Sequence, residues 1–188
     1  MKLIANLVPE NLWGFNARTV GEKKWELIKQ KARAESKYCC VICDQNMLQN
    51  LRNLHTHEFW EYDDENQVAK IVKISTVCID CHDVIHLGRT FMVNKNKEGI
   101  ARLKSLNKHF VTVNELPFTL DALKIEASRA MSEWRERNSI KWKQDLSILN
   151  QFGVDVPVLD DEQIVSIRND IAEEIRKTKE TNRQLNKN

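Results

Sequence analysis

Two short cysteine pairs, Cys40-x2-Cys43 and Cys78-x2-Cys81, constrain this chain more than any other feature. A CxxC turn aims both thiolates at one point, and two such turns supply the four sulfurs of a tetrahedral Zn²⁺ site. The pairs are 34 residues apart, further than in compact zinc ribbons. The intervening segment therefore needs structure of its own, and a β-hairpin fits the gap. Neither pair sits in a βαβ pattern, which argues against a redox role. Cys39 adjoins the first pair, but the x2 spacing favours Cys40 as the ligand. "CIDCH" also spells a c-type haem signal. Haem attachment would consume Cys78 and Cys81, strand the first pair and require export, so no haem is expected.

The chain opens on "MKLIANLVPENLWG", with one lysine and an apolar run too short for a signal-peptide core. No stretch approaches the roughly 18 apolar residues of a membrane span. These features predict a soluble, cytoplasmic protein with no membrane partner, where cysteines stay reduced and five of them suggest metal rather than disulfides. The 29 Lys+Arg and 27 Asp+Glu leave a formal charge of +2, so only local clusters can speak about partners.

Scarce Gly and Pro, and Lys/Glu/Leu/Ala-rich runs after residue 100, favour helix outside the middle of the chain. Residues 1–18 read as irregular, with Trp13 and Phe15 as docking anchors. A helix is expected from Thr19 to about Ser36, with Thr19 and Glu22 forming a capping box and Trp25, Ile28 and Ala32 on one face. "LHTHEFWEY" has the alternation of a strand, "DDEN" reads as a turn, and "VAKIVKISTV" as a second strand, although its Val68, Ile71, Val72 and Ser75 also fit a helix face. "CHDVIHLG" reads as a short helix stopped by Gly88. A helical stripe runs from Leu120 through Leu123, Ala127, Ala130, Met131 and Trp134, extended by Trp142, Leu146 and Leu149, with a break near Asn138-Ser139. A final helix from about Asp160 carries Ile164, Ile167, Ile171 and Ile175, a face for the domain's edge or for a protein partner or homodimer.

Four of the five histidines, His55, His57, His82 and His86, lie in or beside the segment between the pairs; the fifth is His109. His82 and His86 stand at i, i+4, so on a helix two imidazoles share a face and can hold one metal. Cys81 and His82 are adjacent, hence about 100° apart around such a helix. The thiolate can face a zinc while the imidazole looks elsewhere.

The order CxxC, histidine strand, CxxCH and HxxxH resembles the zinc-stapled branch of the HNH (ββα-metal) endonucleases, most specifically over residues 38–88. "HEFWEYDDEN" and "CIDCHDVIHLG" also look like stretches of uncharacterised bacterial HNH-annotated proteins. The resemblance implies an α+β chain: a small ββα-metal core with a two-knuckle structural zinc, within mostly α-helical N- and C-terminal segments. The implied organisation is an arm and approach helix over 1–37, the zinc-stapled core over 38–90, a basic segment and packing helices over 91–157, and a C-terminal helix with a polar tail over 158–188. It further implies phosphodiester hydrolysis by one divalent metal (Mg²⁺, Mn²⁺, Ni²⁺ or Zn²⁺) on His82 and His86, with His57 as general base. Many such enzymes carry an Asp or His just before the base; here Thr56 stands there, and His55, Glu58 or Asp83 are the substitutes. The family's middle Asn is also missing, with Lys73, Ser75 or Thr76 in its neighbourhood.

Six basic residues, Arg89, Lys95, Lys97, Arg102, Lys104 and Lys108, follow the metal helix with one acid, Glu98, among them. Such a cluster beside a reacting centre suits phosphate binding, with DNA the favoured partner over RNA. Against it, Glu61, Asp63, Asp64 and Glu65 make a nearby negative patch. Trp60 and Tyr62 fit a core role or base stacking. The two functions in competition are a metal-dependent HNH endonuclease and a non-catalytic, zinc-stabilised module that binds nucleic acid or a protein.

Overall fold

A long antiparallel hairpin, β1 (Leu54–Asp63) and β2 (Val68–Cys78), organises the computed structural model of the chain. The structure describes residues 1–13, 21–94, 96–117 and 119–153, together with Glu173. The hairpin's turn falls on the acidic stretch, where Asp63 accepts hydrogen bonds from the Asn66 backbone N–H (3.0 Å) and side-chain amide (2.8 Å). The pairing runs in register from Leu54↔Cys78 to Phe59↔Lys73, then skips Val72 so that Trp60 faces Ile71. This β-bulge gives β2 two buried isoleucines three residues apart, while Val72, on the helix face that the sequence also allowed, is exposed. Ile71 and Ile74, three apart, are both buried on the back of the hairpin, whereas strict alternation would have turned one of them to solvent.

The back face packs on α1 (Glu22–Glu35) through Ile28 and Trp25. Gly21, at φ 98°, holds the N-cap position without a side-chain cap bond, so the helix starts later than the capping box predicts. Thr19 and Phe15 lie outside the described residues. Directly after β2 the chain enters α2 (Ile79–Ile85), then α3 (Leu87–Val93). The expected stop at Gly88 does not occur: the break falls at His86, whose backbone (φ −92°, ψ 42°) leaves the helical region, and Gly88 lies within α3.

Two longer helices cover α2. In α4 (Lys97–Val113), Asn96 caps the first turn by accepting from the Gly99 N–H at 2.8 Å. Gly99 is required there, because a Cβ would sit 2.5 Å from the Asn94 Cα. Helix α5 (Ala122–Asn138) ends at Ser139, near the expected break, but the chain does not resume a helix. Instead Lys143–Asp145 forms β3, parallel to Val68–Lys70 at the edge of the sheet, and Ser147–Phe152 makes a 3₁₀ turn. Trp142 joins Leu12 and Ala69 in one small core and Leu146 and Leu149 join Ile28 and Ile71 in another; tertiary burial overrides the helical stripe. Of that stripe Leu123 and Ala130 are buried, while Leu120 is 79% exposed.

The N-terminal arm docks through Leu3, Ala5 and Leu12 rather than Trp13, which is 57% exposed. Ala5 is held at both polar atoms: its N–H donates to the buried Glu126 carboxylate (2.6 Å), and its carbonyl accepts from Arg129 (2.9 Å). The Asn6 N–H reaches the Ile85 carbonyl at the end of α2 (3.0 Å). Arm, cysteine turns, α2, α4 and α5 share one hydrophobic core, so the outer segments complete the central one rather than decorate it. The architecture is mixed α+β, with a three-stranded sheet ordered β1-β2-β3. Among the described residues no helix is long and apolar enough to cross a membrane. The helix expected from about Asp160 lies outside the described residues, Glu173 apart.

Ile28 is fully buried behind the hairpin, so Ile28→Ala should cost about 2–5 kcal/mol in urea unfolding. Leu120→Ala should stay within about 0.5 kcal/mol of the parent, and the reverse order would contradict this packing.

Candidate metal centres

The open end of the hairpin, opposite its turn, brings the two cysteine pairs together. The first turn is fixed by the Cys40 N–H donating to the Gln45 carbonyl and the Asp44 N–H to the Cys40 carbonyl, both at 2.9 Å. It is tied to β2 by the Val41 N–H on the Thr76 carbonyl (3.0 Å) and the Thr76 hydroxyl on the Cys39 carbonyl (2.8 Å). The second pair opens α2: Cys78 is its N-cap, and the Cys78 sulfur accepts from the Cys81 N–H at 3.4 Å. The sulfurs of Cys40, Cys43, Cys78 and Cys81 all lie within 4.8 Å of one another, and Cys43 and Cys78 are 3.7 Å apart. A tetrahedral Zn²⁺ with Zn–S bonds of about 2.3 Å requires S···S edges of about 3.8 Å. The four cysteines thus form a site able to hold a metal ion such as zinc. Cys39 stands outside it, paired in an isolated bridge with Asn46.

The electrostatics of the cluster fit the same ion. Hydrogen bonds from Cys40 and Cys78 hold the Cys43 thiol far below its ordinary range. Through their own contacts with Cys40 and Cys43, Cys78 and Cys81 are pushed far up. Four thiols this close share a limited negative charge among themselves, and a divalent cation is what allows all four to ionise. His109, from α4, sets its Nε2 3.2 Å from the Cys81 sulfur. Hydrogen bonding to Cys43 raises the His109 pKa against the opposing effect of burial. Its role was not legible in the motif. A weak signal existed, for His109 lies two helical turns after Arg102, on the face of α4 that meets α2.

A second cluster lies between β1 and α2. Ligand atoms of His57, His82 and His86 all lie within 4.8 Å of one another. Ring centroids are 4.6 Å apart for His82–His86, 4.9 Å for His57–His86 and 5.6 Å for His57–His82, with the planes steeply inclined in every pair. His57 and His82 are buried; His86 is half-buried. His55 shares the His57 face of β1 but joins differently: it lies over His82 at 4.6 Å with only 35° between the planes. Three imidazoles so placed can hold one divalent ion, or two can hold it while the third binds its water.

The other expected participants are placed elsewhere. Thr56 is buried on the back of β1 opposite Thr76, as strand alternation demands of the residue before His57. Glu58 occupies the same back face, opposite Ile74. Asp83 accepts from Arg102 on the far side of α2 (Nη2 at 2.6 Å, Nε at 3.2 Å), and Arg102 also grips Asp80 at 2.5 Å. Arg102 is therefore not available to a phosphate in this arrangement. Lys97, Lys104 and Lys108 are exposed along one stripe of α4, roughly 120–160° round the helix from Arg102. Arg89 is exposed on α3, and Lys95 lies outside the described residues. Trp60 and Tyr62 pack in the cores; Tyr62, with Arg137 over its ring at 4.3 Å, has its hydroxyl pKa pushed up to about 12 by burial.

No family model, curated protein or solved structure matches the chain.

Metal-ligand sulfurs depend on the groups that hydrogen-bond them. His109→Ala should weaken zinc retention about 10–100-fold in a chelator competition, while Cys39→Ser leaves it unchanged. Equal retention in His109→Ala and the parent would remove His109 from the site.

Proposed function

We propose that the histidine cluster is the working site of an HNH-type, metal-dependent nucleic-acid phosphodiesterase, within a ββα unit stapled by a structural zinc on Cys40, Cys43, Cys78 and Cys81. The observation that supports this most is the convergence of His57 from the strand on His82 in α2 and His86 just after it. His82 and His86 form the shortest pair within this group of three and are the ligands in this reading. His57 sets its ring edge to face against both, 5.6 Å from His82 and 4.9 Å from His86, and is the base in this reading.

A divalent ion held there would supply Lewis acidity at the phosphate and charge for the leaving oxygen. Imidazole donors with no carboxylate in the group favour Mn²⁺, Ni²⁺ or Zn²⁺ over Mg²⁺. His57 accepts a proton from the attacking water. The water oxygen forms the new P–O bond, the P–O3′ bond breaks, and the 3′ oxygen takes a proton from solvent. The burial of His57 and His82 limits competing water and fixes both rings.

Arg102 supports a second reading. Its engagement with Asp80 and Asp83 removes one expected phosphate contact, and a zinc-stabilised binding module without catalysis needs no histidine-bound ion.

In plasmid and RNA cleavage assays with Mn²⁺ or Ni²⁺, His57→Ala and His82→Ala should each lower the rate at least about 10²-fold with unchanged circular dichroism. His82→Ala should also lose binding of the second ion by calorimetry, while its zinc content stays the same. Folded parent protein that cuts neither substrate would sink the enzyme reading and leave the binding module.

A further inference from the structure

The front face of the hairpin does not end at the histidines. Alternation places Phe59 two residues beyond His57 on the same face, about 7 Å along the strand, and the two rings meet edge to face at 5.1 Å. Lys73 is the cross-strand partner of Phe59, and its ammonium lies over the Phe59 ring at 6.0 Å from the centroid. The bulge at Val72 makes this arrangement possible. It lets Ile71 and Ile74 both turn to the core while Lys73 stays in front, exposed. Bulges beside functional sites commonly re-aim a side chain in this way.

The histidines are thus continued by an aromatic surface carrying a positive charge. Of the cations expected there, Arg102 is forked on two aspartates and Lys97, Lys104 and Lys108 look out from another face, while Arg89 is exposed on α3. Further along the hairpin the sign changes, with Glu61 opposite Lys70 and Asp63 at the turn, and Lys70 pairs with Asp145 at 3.6 Å. The positive part of the face is therefore short. It matches one phosphate next to the one at the histidines, and the acidic turn would repel a strand continuing further.

We propose that Lys73, held over Phe59, is the phosphate clamp that positions a nucleic-acid strand across the histidine cluster. This rests on the nucleic-acid reading above, and it assigns substrate contact to the hairpin face rather than to the residue 89–108 cluster. Phe59 acts through Lys73 as a positioning residue, keeping the ammonium beside the site.

The test is fluorescence anisotropy of a labelled single-stranded DNA oligonucleotide with the full-length, zinc-loaded protein across a salt series. Lys73→Ala should reduce the slope of log affinity against log salt by about one, as for one lost phosphate contact. Lys73→Arg should restore the slope, Lys104→Ala should not change it, and all three should bind Ni²⁺ at the histidines like the parent. An unchanged slope in Lys73→Ala, a reduced one in Lys104→Ala, or no binding by the parent would each overturn the proposal. Parent protein that binds through Lys73 without cleaving would keep the clamp and remove the hydrolase.

Discussion

Four sulfurs meeting at the open end of the hairpin are the contact on which the rest of the molecule depends. They join a turn before β1 to the start of α2, residues 38 positions apart from Cys40 to Cys78. Around them the main core assembles, with Cys40, Cys78 and Cys81 themselves among its most buried members. Without a cation these thiols compete for few negative charges, and Cys78 and Cys81 are driven toward their protonated forms. An ion such as zinc would turn that mutual repulsion into attraction, and its binding free energy would then be folding free energy.

The same seven-residue helix serves both clusters. A helix as short as α2 has little stability of its own; it is held by Cys78 at its N-cap, by Arg102 on Asp80 and Asp83, by His109 at Cys81 and by the arm at Ile85. Each grip leaves one face open, and that face carries His82 and His86 toward β1. The two basic residues of α4 that meet α2 thus act on its position. In the functional reading proposed here, they orient the histidines instead of binding substrate.

Much of this was legible because the relevant patterns are local. The CxxC pairs, the alternation of "LHTHEFWEY" and the i, i+4 histidines each dictate geometry within a few residues, and each is found in the fold. The helix face read from Val68, Ile71, Val72 and Ser75 does not form: all four lie in β2, where the bulge at Val72 lets Ile71 and Ile74 share the back face. What the sequence could not display were contacts set by tertiary phase. Helix α4 is basic along its length, yet only its packing decides that Arg102 and His109 turn inward while Lys97, Lys104 and Lys108 turn out. Strand β3 is three polar residues, "KQD", with no β signal; it exists because Trp142 and Leu146 on either side are buried. Thr56, which stood out as a missing ligand, is better understood by alternation: the residue beside His57 faces the back of the strand, and His55 shares its front.

The claim that four sulfurs, and no imidazole, form the stapling site is tested most directly by zinc X-ray absorption on protein carrying one equivalent of zinc. The account predicts a single shell of four sulfurs at about 2.3 Å, unchanged in His82→Ala and in His109→Ala. A mixed shell with nitrogen at about 2.0–2.1 Å would contradict it, because either His109 would then be a ligand rather than a hydrogen-bond donor, or the histidine cluster would be the tighter zinc site.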